Sequence, residues 1–125
     1  MRQDYISLDK LQVYVLSREL SSIGWNIYEK LEWNIKKING DQFIESTDSV
    51  AANVAEGYGR FHYLDKVKFY YNARGSLLES RHWFDLLSER GFINKEDKRK
   101  YLECYKKLRP ALNALIGSVL KVKNP

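Results

Sequence analysis

A chain of 125 residues with a net charge of +5, 30% charged side chains and only two prolines can bury one core without help from a metal or a disulfide. Its single cysteine, Cys104, excludes an internal disulfide and fits a reducing cytoplasm. The start, MRQDYISLDK, lacks the apolar segment of a signal peptide, and no run of about 18 apolar residues exists, so neither secretion nor membrane spanning is expected.

Four helices are predicted, over about residues 8–37, 41–58, 63–90 and 95–122 of one domain. In the first, Ser7 is placed to cap the start and Asn39-Gly40 to stop the end. Leu16, Leu20, Ile23, Ile27 and Leu31 form a helical apolar stripe. Gly24 inside it costs about 1 kcal/mol. Val15, Trp25 and Trp33 fall off that stripe, as Trp83 does on the third helix. Such aromatic residues are either ordinary core and partly exposed surface or a subunit interface, where Trp and Tyr are enriched.

The second helix places Ile44, Thr47, Ala51, Val54, Ala55 and Tyr58 on one side, and its small alanines allow a close neighbour. Gly57-Tyr58-Gly59 reads as the end of this helix, because no strand precedes it and no Gly-Lys-Ser/Thr follows. The third helix stops at Gly91, and Asn94 caps the fourth with Asp97 in its first turn. On the fourth, Tyr101, Tyr105, Leu108, Leu112, Leu115 and Val119 make the cleanest seam of the chain. Pro110 removes one hydrogen bond there and is expected to kink the helix. Long helices joined by short loops predict an all-α, antiparallel up-down four-helix bundle.

Charge is distributed unevenly. Residues 39–59 carry four acids and no base, whereas residues 90–109 carry eight bases against three acids. On the fourth helix Lys98, Arg99, Lys106 and Arg109 all lie within about 60° of Lys95 at 100° per residue. That stripe reads as a solvated face or as a track for a phosphate backbone. On the third helix, Arg74 and Arg81 sit two turns apart in a broad face with Val67, Tyr70, Tyr71, Leu77, Leu78 and Phe84. A buried lone charge is costly, so Glu45, Asp48 and Glu56 of the second helix are their expected partners. The alternative is an anion site made from Arg60, Arg74 and Arg81.

Enzyme inventories do not fill. Glu79 and His82 have the Glu-x-x-His spacing of helical di-iron sites, but His62 is the only other histidine. Cys104 lies beside the apolar seam, where a buried and inert thiol is expected. Seven residues separate Arg74 from His82 and one separates Arg60 from His62, which does not match the spacing of HEPN-type ribonucleases. No cofactor and no metal are expected.

The most distinctive stretch is Ser49–Ser80. Asn53, Val54, Ala55, Glu56, Gly57 and Arg60 precede a break; Phe69, Ala73, Gly75, Ser76 and Glu79 follow on the next helix. In these positions the chain resembles the four-helix-bundle proteins encoded by intervening sequences of bacterial 23S rRNA genes, and the order of its flanking helices agrees. The resemblance implies a homo-oligomeric ring, expected to be a pentamer, with Val15, Trp25, Trp33 and Trp83 as interface residues. Asn53, Glu56, Arg60, Arg74, Glu79 and Arg81 are read as a structural polar network, and Gly75, together with Ala73 and Ser76, as permitting close helix packing. Related rings serve as accessory partners of reverse transcriptases in retroelements. The resulting expectation is a non-enzymatic cytoplasmic scaffold binding RNA or single-stranded DNA through Lys95, Lys98, Arg99, Lys106 and Arg109. An accessory scaffold for a protein such as a reverse transcriptase is the first alternative, and an RNA-processing enzyme the second. Many relatives carry a basic pair and a proline just before Asn53, where this chain has Glu45-Ser46-Thr47-Asp48 and Ala52; that acidic patch suits a basic protein partner.

Overall fold

A computed structural model describes residues 6–123, so residues 1–5 of the start read above lie outside the described residues. Helix α1 spans Gln12–Glu29, α2 Asp41–Tyr58, α3 Tyr63–Glu89 and α4 Lys95–Lys123. Among the described residues there is no strand, and no helix is long and apolar enough to cross a membrane.

The first helix differs from its prediction at both ends. Leu8–Lys10 form a 3-10 turn, and α1 begins only at Gln12. The Ser7 hydroxyl donates to Asp9 Oδ1 at 2.7 Å instead of capping a backbone amide. At the other end α1 stops at Glu29, well short of Lys37. The Leu31 N–H turns back to the Tyr28 carbonyl, and Glu32 is extended with ψ 157°. Helical backbone resumes at Trp33–Ile35, passes through a π-helical stretch at Lys36–Gly40 and runs straight into α2. Asn39-Gly40 therefore lies inside a helical rod and stops nothing. Packing explains the position of the break: a Cβ on Gly40 would stand 2.9 Å from Leu31 Cδ1. The glycine leaves room for Leu31, buried at the corner, to fold against the start of the next helix.

The later boundaries follow local chemistry. Gly91 takes φ 82°, and the Phe92 N–H reaches the Leu87 carbonyl at 2.9 Å, closing α3 with a left-handed glycine stop. Asn94 Oδ1 accepts the Asp97 N–H at 2.8 Å, and Asn94 Nδ2 donates to Asp97 Oδ2 at 3.1 Å. This reciprocal cap opens α4. Helix α4 continues through Pro110 without interruption.

Neighbouring helices run antiparallel. Between α2 and α3, Thr47 meets Ser80 while Ser49 meets Ser76. Between α3 and α4, Ser80 meets Tyr101 and Arg74 meets Asn113. Between α1 and α4, Cys104 meets the Leu16 carbonyl and Lys30 meets Asp97. Gly24 brings α1 onto α2, since a Cβ there would lie 3.0 Å from Thr47 Cγ2. The order α1–α2–α3–α4 thus closes into a four-sided up-down bundle.

The core contains the predicted seam, with Tyr101, Leu108 and Leu112 fully buried, and Phe84 stacked on Tyr101 at 3.9 Å between centroids. Tyr101, Ser80 and Thr47 also form a chain of hydroxyls inside that core, each link 2.7 Å. Thr47 Oγ1 donates to the Phe43 carbonyl. A hydroxyl carries one proton, so Ser80 must donate to Thr47 and Tyr101 to Ser80. Buried polar groups need such partners, and this chain ties three helices in one register.

Candidate nucleic-acid interface

The five cations predicted on the fourth helix share the outer face of α4 but differ in availability. Arg99 Nη2 lies 2.6 Å from Glu96 Oε2, and its Nη1 lies 2.9 Å from Glu103 Oε2. Hydrogen bonds from Arg99 pull the Glu96 carboxyl below its ordinary range, and both carboxylates hold Arg99 more firmly protonated. Its charge is locally matched. Lys95, Lys98, Lys106 and Arg109 have no ion pair among the described residues. Lys106 and Arg109 rim a groove of about 350 Å³ between α3 and α4, where Arg81, Leu102, Tyr105 and Pro110 supply the remaining lining.

Arg74 and Arg81 correct the sequence reading. Neither meets Glu45, Asp48 or Glu56. Arg81 Nε donates to Asp85 Oδ1 on its own helix at 2.9 Å, and its guanidinium lies over the Tyr105 ring at 5.0 Å. Arg74 donates to Asn113 Oδ1 at 3.1 Å and lies over Tyr71 at 5.0 Å. Each arginine follows a buried residue, Ala73 or Ser80, and Ser80 bonds Thr47 of α2. The 100° step to the next position turns both toward α4. Tyr71 and Leu78, assigned to the same inner face, are exposed.

The other signature residues form local pieces rather than one network. Asn53 Nδ2 donates to the Ser49 carbonyl and to Ser49 Oγ, which also accepts from Ser76 at 3.0 Å. Glu56 pairs with Arg60, whose guanidinium lies over Phe69 at 4.9 Å. Glu79 accepts a hydrogen bond from Trp83 Nε1 at 3.1 Å. Gly57 is the close-contact glycine: a Cβ would lie 2.7 Å from Tyr70 Cε1. Gly75 is not, since a Cβ there would meet nothing within 4 Å. Sequence reasoning also missed Lys66, whose ammonium caps the end of α2 by donating to the carbonyls of Tyr58 at 3.0 Å and Gly57 at 3.3 Å. Burial lowers its pKa.

The four aromatic and aliphatic residues assigned to an interface separate. Val15, Trp25 and Trp33 are exposed, Trp33 to 73%, whereas Trp83 packs partly against the core. Trp25 stacks on Tyr28 at 5.3 Å, and Lys37 lies 5.9 Å above Trp33. A further apolar line was legible but unread: Leu64, Tyr71 and Leu78 recur every seven residues and are all exposed on α3.

The cysteine and the two histidines stand apart from one another. Cys104 is buried, its thiol pushed up to about 12 by burial and its Sγ–H directed at the Leu16 carbonyl. His62 precedes α3 and His82 lies on its outer surface, about 30 Å apart at 1.5 Å per residue. No group of three or more potential metal ligands exists among the described residues.

Fold and surface together define an antiparallel four-helix bundle with a basic outer helix beside an apolar groove. A family model described as 23S rRNA-intervening sequence protein matches residues 9–114. The chain belongs to that family. It is also similar to a crystal structure from Bacteroides thetaiotaomicron, described as a protein of unknown function from the S23 ribosomal protein family. That structure is 21% identical, with 85% of this chain and 96% of that chain covered and a TM-score of 0.77, a likeness of fold. No curated protein matches the sequence.

Proposed function

We propose that the protein is a non-enzymatic, homo-oligomeric helical scaffold of the cytoplasm that binds nucleic acid weakly and without sequence preference through α4. Four cations without an ion pair among the described residues, Lys95, Lys98, Lys106 and Arg109, support this reading. Repetition of that face around an oligomer multiplies its attraction for a phosphate backbone, and release of counter-ions makes the binding fall steeply with salt. The test is fluorescence anisotropy of a labelled RNA and a labelled single-stranded DNA across a salt series. A variant with all four cations changed to Gln is expected to lose most of the salt slope while keeping its assembly. Equal binding by parent and variant would clear α4 of this role.

Assembly is supported by the exposed Val15, Trp25 and Trp33 and by the line of Leu64, Tyr71 and Leu78, because aromatic side chains are enriched at subunit interfaces. Light scattering is expected to give about five times the chain mass of 14.8 kDa; a monomer mass at micromolar concentration would end the idea. A second reading concerns α2, where Glu45 and Asp48 are exposed and unpaired among the described residues. That acidic face suits a basic protein partner, such as a reverse transcriptase. Loss of partner capture on changing both to Gln, with RNA binding intact, would favour it.

A further inference from the structure

The groove between α3 and α4 adds to the basic face a surface that a phosphate backbone alone does not use. Its walls are largely apolar: Leu102 is 38% exposed and Pro110 is exposed. Arg81 forms one side. Its guanidinium lies over Tyr105, and Asp85 fixes its orientation through Nε at 2.9 Å. The side chain held in place this way remains 38% exposed and lines the groove, and guanidinium planes stack nucleobases. Lys106 and Arg109 line the groove as well, with no ion pair among the described residues. At about 350 Å³ the groove lies at the small end of the ligand-pocket range of roughly 300–1,000 Å³, so it suits one ring system rather than a folded segment.

Apolar walls, one fixed guanidinium plane and two free cations ask for a ligand with a flat apolar face beside anionic groups. A duplex offers the anions but keeps its base faces stacked inside. We propose that the groove holds an unpaired base of a single-stranded nucleic acid, with Arg81, Leu102 and Pro110 against the base and Lys106 and Arg109 on neighbouring phosphates. This inference rests on the reading that α4 binds nucleic acid. It goes further by assigning preference for single strands to the groove and not to the charge.

The experiment compares three labelled probes of equal phosphate number at low salt: a single strand, a duplex and an abasic strand. The parent is expected to bind the single strand about tenfold more tightly than the abasic strand, in keeping with one stacked base. Two variants test the groove. Leu102→Ser removes an apolar wall from a half-exposed site, and Arg81→Lys keeps the charge but loses the plane. Each is expected to bring the single strand down to the abasic level while changing abasic binding by less than about twofold, with a cooperative melt whose midpoint falls by no more than a few degrees. Equal binding of single and abasic strands by the parent would overturn the groove assignment and leave the basic face standing. Binding of no probe at all would remove the nucleic-acid reading and this inference with it. Capture of an acidic amphipathic peptide that both variants abolish, with single and abasic strands bound alike, would overturn the base in favour of a peptide.

Discussion

Ser80 Oγ and Tyr101 OH lie 2.7 Å apart at a point where neither residue has any solvent exposure. The Phe43 carbonyl at the far end of the chain fixes every donor, so Ser80 both accepts from Tyr101 and donates to Thr47. Removing it strands a buried O–H on Tyr101. Ser80→Ala is therefore expected to cost about 2–3 kcal/mol, whereas Tyr101→Phe leaves only an unused lone pair and costs about 1 kcal/mol. The double variant is expected to cost less than the sum, since the stranded donor disappears. Urea denaturation of the three variants measures this directly. Additive costs would mean the hydroxyls act independently.

Two signature glycines should respond in opposite directions. A methyl at Gly57 would intrude to 2.7 Å on the ring of the buried Tyr70, so Gly57→Ala is expected to destabilise by about 1–3 kcal/mol. A methyl at Gly75 would meet nothing within 4 Å, and the helical position favours alanine by about 0.5–1 kcal/mol. Thermal melts should show Gly75→Ala raising the midpoint. A Gly75→Ala protein that melted lower would show that another surface packs on this side of α3.

Alkaline pH should destabilise the bundle through its buried protonated groups. Burial pushes Tyr70 up to about 12 from 10.0 and Cys104 up to about 12 from 9.0, and raises Tyr101 further. In the unfolded chain these groups release protons that the folded chain retains. Above about pH 9 the unfolded state thus binds fewer protons, and stability falls as pH rises. Below that pH all three are protonated in both states and contribute no slope. With all three engaged the slope approaches about 4 kcal/mol per pH unit. Denaturation midpoints between pH 8 and 11 test this, and Tyr70→Phe is expected to remove about a third of the slope. A stability flat across that range would contradict it.

Features decided within a few residues were readable in the sequence. The α4 seam, the Gly91 stop and the Asn94–Asp97 cap all formed where spacing and residue chemistry placed them. The end of α1 was not readable, because residues 30–32 contain neither glycine nor proline and Leu31 continues the stripe four positions after Ile27. The fit of Leu31 against Gly40 makes that decision, and it is a tertiary contact. Arg74 and Arg81 failed for another reason: periodicity gives a residue's angle on its helix but not which neighbour stands there. Truncating Arg81 is accordingly expected to cost about 0.5–1 kcal/mol, the scale of an exposed pair, rather than the 3–5 kcal/mol of a buried one.

The two acids around Arg99 were visible in the sequence, at three residues before it and four after, and they change what α4 can offer a phosphate. Arg99 is engaged by both Glu96 and Glu103, so contact with nucleic acid would exchange two existing partners for one new one. Arg109 has no ion pair to give up among the described residues. Each phosphate neutralised on a single strand contributes about 0.7 to the salt slope. Arg109→Gln is therefore expected to reduce the slope for single-stranded RNA by about 0.7, and Arg99→Gln to leave it nearly unchanged. The loss from Arg99→Gln should appear in folding instead, at about 0.3–0.5 kcal/mol for each helical pair broken. Anisotropy titrations at several salt concentrations, with urea melts of the same proteins, separate the two effects. An equal drop in slope for both variants would show that the carboxylates release Arg99 when nucleic acid arrives.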